Sequence, residues 1–126
     1  MKSRLAILSF AISCACAGNV MAMTKEEYKV QKDRVSADYK AGKEKCSALT
    51  SNAKDICQAE AKGAEKIAKA ELESQYKPSA KHTEDVALAK GDAMYEVAKE
   101  KCDDMAGNAK DVCVKDAKAA HVKAKE

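Results

Sequence analysis

The chemistry this sequence offers is concentrated in sulfur. Cys46 and Cys57, and again Cys102 and Cys113, stand eleven positions apart, and in an oxidising compartment paired thiols form disulfides. On one unbroken helix eleven residues advance about 16 Å, whereas a disulfide requires Cα atoms within about 7 Å. A bond within either pair therefore demands that the chain reverse between its two cysteines. Four thiols also suit a tetrahedral zinc site or a thiol reservoir. Structural zinc favours cysteines roughly two to four residues apart, delivered by one tight turn, and the wider spacing here fits a disulfide clip better. No Cys-x-x-Cys redox motif occurs.

Other reactive groups are sparse. His82 and His121 show no His-x-x-x-His spacing, and the chain has neither a Gly-rich phosphate loop nor a Gly-x-Ser-x-Gly elbow. Both histidines are expected to be exposed helix residues. Tyr28, Tyr39, Tyr76 and Tyr95 are expected to cover a thin core while keeping their hydroxyls wet. No enzyme, cofactor or metal is expected.

The elements that must position the cysteines follow from the residues between them. Gly107 is a natural helix-ending residue, Asn108 a strong N-cap, and Asp111 complements the exposed N–H groups of a new helix. Thr50-Ser51-Asn52 with Asp55 repeats this signal more softly in the first pair. Each predicted turn lies midway between the cysteines it separates, so Cys46 would bond Cys57 and Cys102 would bond Cys113 across αα-hairpins. A rival arrangement pairs Cys46 with Cys113 and Cys57 with Cys102. Both of those pairs centre next to Pro78, where one long antiparallel hairpin would turn, and a heptad-like pattern supports it, with Gly42, Leu49, Ile56, Gly63 and Ala70 at one position and a column of Tyr39, Cys46, Ala53, Glu60 and Ile67 at the other. Glu60 within that column and Gly107-Asn108 within the would-be helix speak against it; the caps favour local pairing.

An internal repeat frames both readings. Shifting the chain by 56 positions aligns residues 39–70 with 95–126 at 15 identities over 32. Lys43-Glu44-Lys45-Cys46 matches Lys99-Glu100-Lys101-Cys102, Asn52 to Asp55 matches Asn108 to Asp111, and Cys57 matches Cys113. Two coincident cysteines with a shared four-residue block indicate a duplicated unit. The units are read as 23–77 and 78–126.

Of the 126 residues, 23 are Lys or Arg and 20 are Asp or Glu. Lys2 and Arg4 lie in a stretch without acids, so the rest of the chain is nearly neutral and lacks the basic footprint of a nucleic-acid binder. Residues 1–22 read as a secretory signal peptide: a charged start, an apolar middle from Leu5 to Ala17, and a small-residue cleavage site ending at Ala22. The apolar run falls short of the roughly 20 residues of a membrane span. Acylation at Cys14 or Cys16, as in a lipoprotein, is a second reading, although Ala11 and Ser13 stand where that signal wants Leu. Beyond the signal, abundant Ala, Lys and Glu mark long helices or coiled coils, while large aliphatic residues are few and a domain this small needs staples.

The fold is thus expected to be all-α: two tandem disulfide-clipped hairpins with helices near 24–50, 53–76, 80–106 and 109–125, or one long hairpin turning at Pro78. Side-by-side hairpins and an up-down bundle fit equally well. The block from Gly107 to Cys113, preceded by Lys99 to Cys102, resembles small exported Ala/Lys-rich paired-Cys helical proteins of Gram-negative bacteria, some labelled after the long-helix protein of the Tol envelope system. The resemblance covers both repeats and implies a periplasmic location. The expected function is that of a non-enzymatic periplasmic interaction module, envelope-associated or stress-related, whose partner is an envelope protein or surface. The alternatives are a thiol- or metal-handling protein using Cys46, Cys57, Cys102 and Cys113, and a peripheral binder of anionic lipid or wall polymer through its Lys-rich last helix.

Overall fold

A computed structural model describes residues 22–125. The segment expected to be the export signal, with Cys14 and Cys16, lies outside the described residues, apart from Ala22 at its end. The described chain forms four helices: α1 (Lys25–Cys46), α2 (Ser51–Tyr76), α3 (Ala80–Cys102) and α4 (Gly107–Lys123).

Each starts for a local reason. Thr24 caps α1 through a full capping box, its Oγ1 accepting from the Glu27 N–H at 3.2 Å while Glu27 Oε2 accepts from the Thr24 N–H at 2.8 Å. Ser79 Oγ accepts from the His82 N–H at the start of α3, just beyond Pro78. The two clipped turns work differently from the expected Asn108 cap. The N-cap positions of α2 and α4 are Thr50 and Ala106, and neither supplies a side-chain bond. What reverses the chain is a left-handed residue at the first helical position: Ser51 at φ 53° and its repeat counterpart Gly107 at φ 57°. The helices entering these turns end at the cysteines, four residues earlier than expected, because each bond must form where the turn begins.

Glycine adopts that conformation freely, whereas an L side chain such as that of Ser51 does so at a cost. Nothing lies within 4 Å of a Cβ built on Gly107, so the constraint is purely backbone. Ser51→Gly is therefore expected to stabilise the first hairpin by about 0.5–1 kcal/mol, and Gly107→Ala to weaken the second by a similar amount. Chemical denaturation of both variants measures the opposite signs.

The helices form an open antiparallel row. Among the described residues α1 packs on α2, α2 on α3 and α3 on α4, with no packing between α1 and α3, α2 and α4, or α1 and α4. Three small-residue contacts explain this. A Cβ placed on Gly42 would lie 3.3 Å from that of Ala61, one on Gly63 would lie 2.8 Å from that of Ala93, and one on Gly91 would lie 3.1 Å from that of Ala124. Ala61 and Gly63 are two residues apart on α2, hence about 200° apart around its axis; Gly91 and Ala93 stand in the same relation on α3. Each inner helix thus meets its two neighbours on opposite sides, which lays the four in a single layer. The result is the expected pair of clipped hairpins lying side by side, joined through α2 and α3, the most extensive interface, and not a closed bundle.

A single layer buries little. Among the described residues the buried apolar side chains are Cys46, Leu72, Ala93, Cys102 and Ala117, and of these Cys46 and Cys102 have no exposed surface. Cys46 bonds Cys57 and Cys102 bonds Cys113, with Cα atoms 5.5 and 5.7 Å apart. The cross-unit pairing is excluded. Its turn at Pro78 is nonetheless real: Gly63 and Ala93 are equidistant from Pro78, and α2 and α3 fold back on each other there without a covalent bond.

Candidate interaction surface

A one-layer fold has two broad faces, and helical phase decides what each presents. On α2, residues between the α1-facing and α3-facing sides fall into two sets. Ala64 and Ile67 point to one face, Lys62 and Lys66 to the other. On α3, Met94 and Val97 join the first set and Glu96 and Glu100 the second.

The first face carries an apolar trough between α2 and α3, floored by Gly63 and Ala93, walled by Ile67, Met94 and Val97, and rimmed by Glu60 and Lys101. Met94 stands 70% exposed at its centre. A thioether on a flexible stem adapts to varied partner surfaces. The trough continues sideways in both directions. Ala64 also lines the depression between α1 and α2, beside Val35 and Ala68, and Met94 and Ala98 also line the one between α3 and α4, beside Ala117 and Ala120. A shallow strip of small apolar side chains therefore crosses all four helices.

The second face is charged and nearly balanced. Lys43 from α1, Lys62 and Lys66 from α2, and Glu96 and Glu100 from α3 line a groove whose floor again includes Gly63 and Ala93. Across the α2–α3 seam the Asn52 side chain donates to the Glu100 carbonyl at 2.7 Å, while the ion pair between the inner helices, Lys90 to Glu71 at 2.8 Å, lies on the first face, one turn beyond Met94 and Ile67. Asn52 was expected only as part of a turn signal. Its interhelical role was invisible in sequence because it depends on α3 passing beside the α2 start.

The histidines correct the expectation of simple exposure. His82 is half-buried; its Nδ1 lies 2.5 Å from the Lys77 carbonyl, which can only accept, so Nδ1 carries the proton and the ring spans the α2–α3 turn. His121 is 19% exposed. It stacks on Tyr95 with centroids 4.6 Å apart, and its Nε2 donates to Asp92 at 2.5 Å. Asp92 also meets Lys125 at 3.4 Å. The His121 hydrogen bond, helped by Lys125 and opposed by partial burial, holds the Asp92 carboxyl below the usual carboxylate range. A depressed folded-state value means that the bond favours the folded form at and above the ordinary Asp value, about pH 4, and that this contribution disappears as pH falls through the folded value. Amide exchange at Ala120 to Ala124 is therefore expected to accelerate, relative to the rest of the chain, only in acid. Asp92→Asn should remove that acid dependence.

The tyrosines behave partly as expected. Tyr28 and Tyr76 stack at 4.4 Å over the far end of the α1/α2 hairpin, but the Tyr28 hydroxyl donates to Glu73 rather than to water alone. The four cysteines are consumed in disulfides. Among the described residues no group of three or more His, Cys, Asp or Glu is arranged to hold a metal ion, and no helix is long and apolar enough to cross a membrane. Disulfides of this kind belong to an oxidising, extracytoplasmic compartment. Comparison with protein-family models, with curated proteins and with solved structures finds no match to this chain.

Proposed function

We propose that the protein is a non-enzymatic interaction module of the bacterial envelope, exported to the periplasm and acting through the faces of its helical layer. The observation that carries this reading is the division of one thin layer into an apolar strip centred on Met94 and a charged groove lined by Lys62, Lys66, Glu96 and Glu100. A layer of this kind devotes most of its side chains to surface, as a docking element does and as an enclosed active site does not. The export signal read at residues 1–22 and the two disulfides agree on the compartment.

Site-specific photocrosslinking in exporting cells tests it. A photoreactive residue at Met94, and separately at Lys66, should trap a discrete adduct to another envelope component from at least one position. Lack of any adduct from both positions rejects a docking role. Free thiols or bound metal in the purified protein would instead support the thiol- or metal-handling alternative.

A further inference from the structure

Among the described residues the row of helices runs from α1 to α4, and the outward faces of these two are built like an interface. The 56-residue repeat relates α1 to α3 and α2 to α4. The contact that joins the two units, α2 on α3, therefore has an unpaired counterpart: α4 of one copy facing α1 of another.

The correspondence holds along the N-terminal two-thirds of the α2 contact surface; α4 ends at Lys123, the equivalent of Ile67, and carries no counterpart of Leu72. Within the α2/α3 interface Gly63 meets Ala93. Ile56 and Val86 precede them by seven residues, about two turns, and so share their faces; both are half-buried. Displaced by one repeat, Gly63 and Ile56 become Ala119 and Val112 on α4, and Ala93 and Val86 become Ala37 and Val30 on α1. These four point away from the α3 and α2 neighbours, and Val30 is 66% exposed and Val112 48%. Asn52, which bonds the Glu100 carbonyl, becomes Asn108, and Glu100 becomes Glu44; both counterparts are exposed.

The positions that differ are compatible with the same register. Gly63 opposite Ala93 places Ile67 opposite Ala89, and the equivalent alignment places Lys123 opposite Asp33, an apolar pair replaced by opposite charges. Lys115 replaces Ala59 and falls opposite Ala41, one turn from Glu44. Ala119 in place of Gly63 holds the helices further apart by a methyl group, since a Cβ at position 63 would come within 2.8 Å of that of Ala93.

We propose that copies of this chain associate head to tail, α4 of one packing on α1 of the next as α2 packs on α3, so that the helical row continues across copies. The contact is heterologous: each copy uses two different surfaces, and growth gives a ring or an open filament rather than a closed two-fold dimer. It uses the edges of the row and not the faces discussed above, so it stands or falls separately from the proposed function.

Analytical ultracentrifugation of the oxidised protein over a concentration series provides the test. The mass is expected to rise with concentration past that of a dimer. Val30→Glu and Val112→Glu, both at exposed helix positions, should each give monomers with unchanged helicity and melting temperature. Mixing these two variants should restore association but cap it at one heterodimer, because each supplies the edge the other lacks. In the unaltered protein, carbodiimide should link Lys123 to Asp33 only in multimers. A wild-type chain that stays monomeric at its highest soluble concentration overturns the proposal. So does a multimer that both variants leave intact, that mixing fails to rebuild, or that lacks the Lys123–Asp33 link. A two-fold dimer dissolved by Met94→Glu would likewise overturn it and place self-association on the apolar face.

Discussion

Reducing and blocking the four bonded cysteines will abolish the cooperative thermal transition and leave only a fraction of the helical signal at 25 °C. Each bond closes a short loop between residues eleven positions apart, and the chain-entropy model assigns such a closure about 3 kcal/mol. Two of them rival the ~5–15 kcal/mol that holds an ordinary small domain together. The bonds also supply the interior, since among the described residues Cys46 and Cys102 are the fully buried side chains. What remains after reduction is a set of Ala- and Lys-rich helices of 17 to 26 residues, which in water are marginal without tertiary support. The paired replacement of Cys102 and Cys113 by Ser should release α4 more completely than the matching change at Cys46 and Cys57 releases α1, because α3 and α4 share less contact than α1 and α2. Circular dichroism and calorimetry decide the matter. A reduced, alkylated chain that kept its full helicity and melting temperature would falsify the staple argument.

The second large effect is expected at Gly63. Alanine there would place its Cβ 2.8 Å from the Cβ of Ala93 and 3.4 Å from its Cα, and a methyl group fixed to a helix backbone cannot rotate aside. The α2 and α3 helices must separate, with a cost of about 1–3 kcal/mol for overpacking. Against this stands the helix-propensity gain of about 1 kcal/mol for replacing Gly. The net effect expected is a loss of about 1–2 kcal/mol, in the most extensive interface of the molecule. Ala93→Gly in the same chain removes the opposing methyl and should recover most of that loss. A double-mutant cycle reads this as a coupling of about 1 kcal/mol or more. If the two changes simply add, the contact does not set the spacing of the inner helices. The same alanine at Gly42, where the nearest atom would be 3.3 Å away, should cost distinctly less.

Much of this architecture was legible in sequence because it is written in large, punctuated signals. The eleven-residue spacing of the cysteines forces a reversal, and Gly107 stands where that reversal occurs. The repeat carries the same conclusion to Ser51, whose identity alone gives little hint of a left-handed backbone. Other features were not legible, each for a physical reason. A row and a closed bundle require the same four amphipathic helices and differ only in the angle between two contact stripes. That angle is encoded in Ala61 against Gly63 and in Gly91 against Ala93, small residues that hydrophobic periodicity weighs lightly. The Ile56, Gly63 and Ala70 positions did stand out as a column, but in support of one long hairpin. Their actual partner is α3, folded back at Pro78, while the sulfur bonds remain local. The expected Asn108 cap failed because the left-handed Gly107 turns the chain first, leaving the asparagine on the outward side of α4. His121 could not be placed without knowing that Asp92 and Tyr95 lie beside it, because sequence proximity says nothing about a neighbour 29 residues away.

The position of the two sulfur bonds has a mechanical consequence. Both lie at the end of the row where residues 47–50 and 103–106 turn, while α1 begins and α4 finishes at the other end. A pull applied to those two points would peel the outer helices from their free ends and then halt at covalent stops. Residues 47–56 and 103–112 would bear no load, withholding roughly 35 Å of contour each. Under tension the oxidised chain would therefore be a tether of limited extension, about 70 Å shorter than the same chain with its sulfurs reduced.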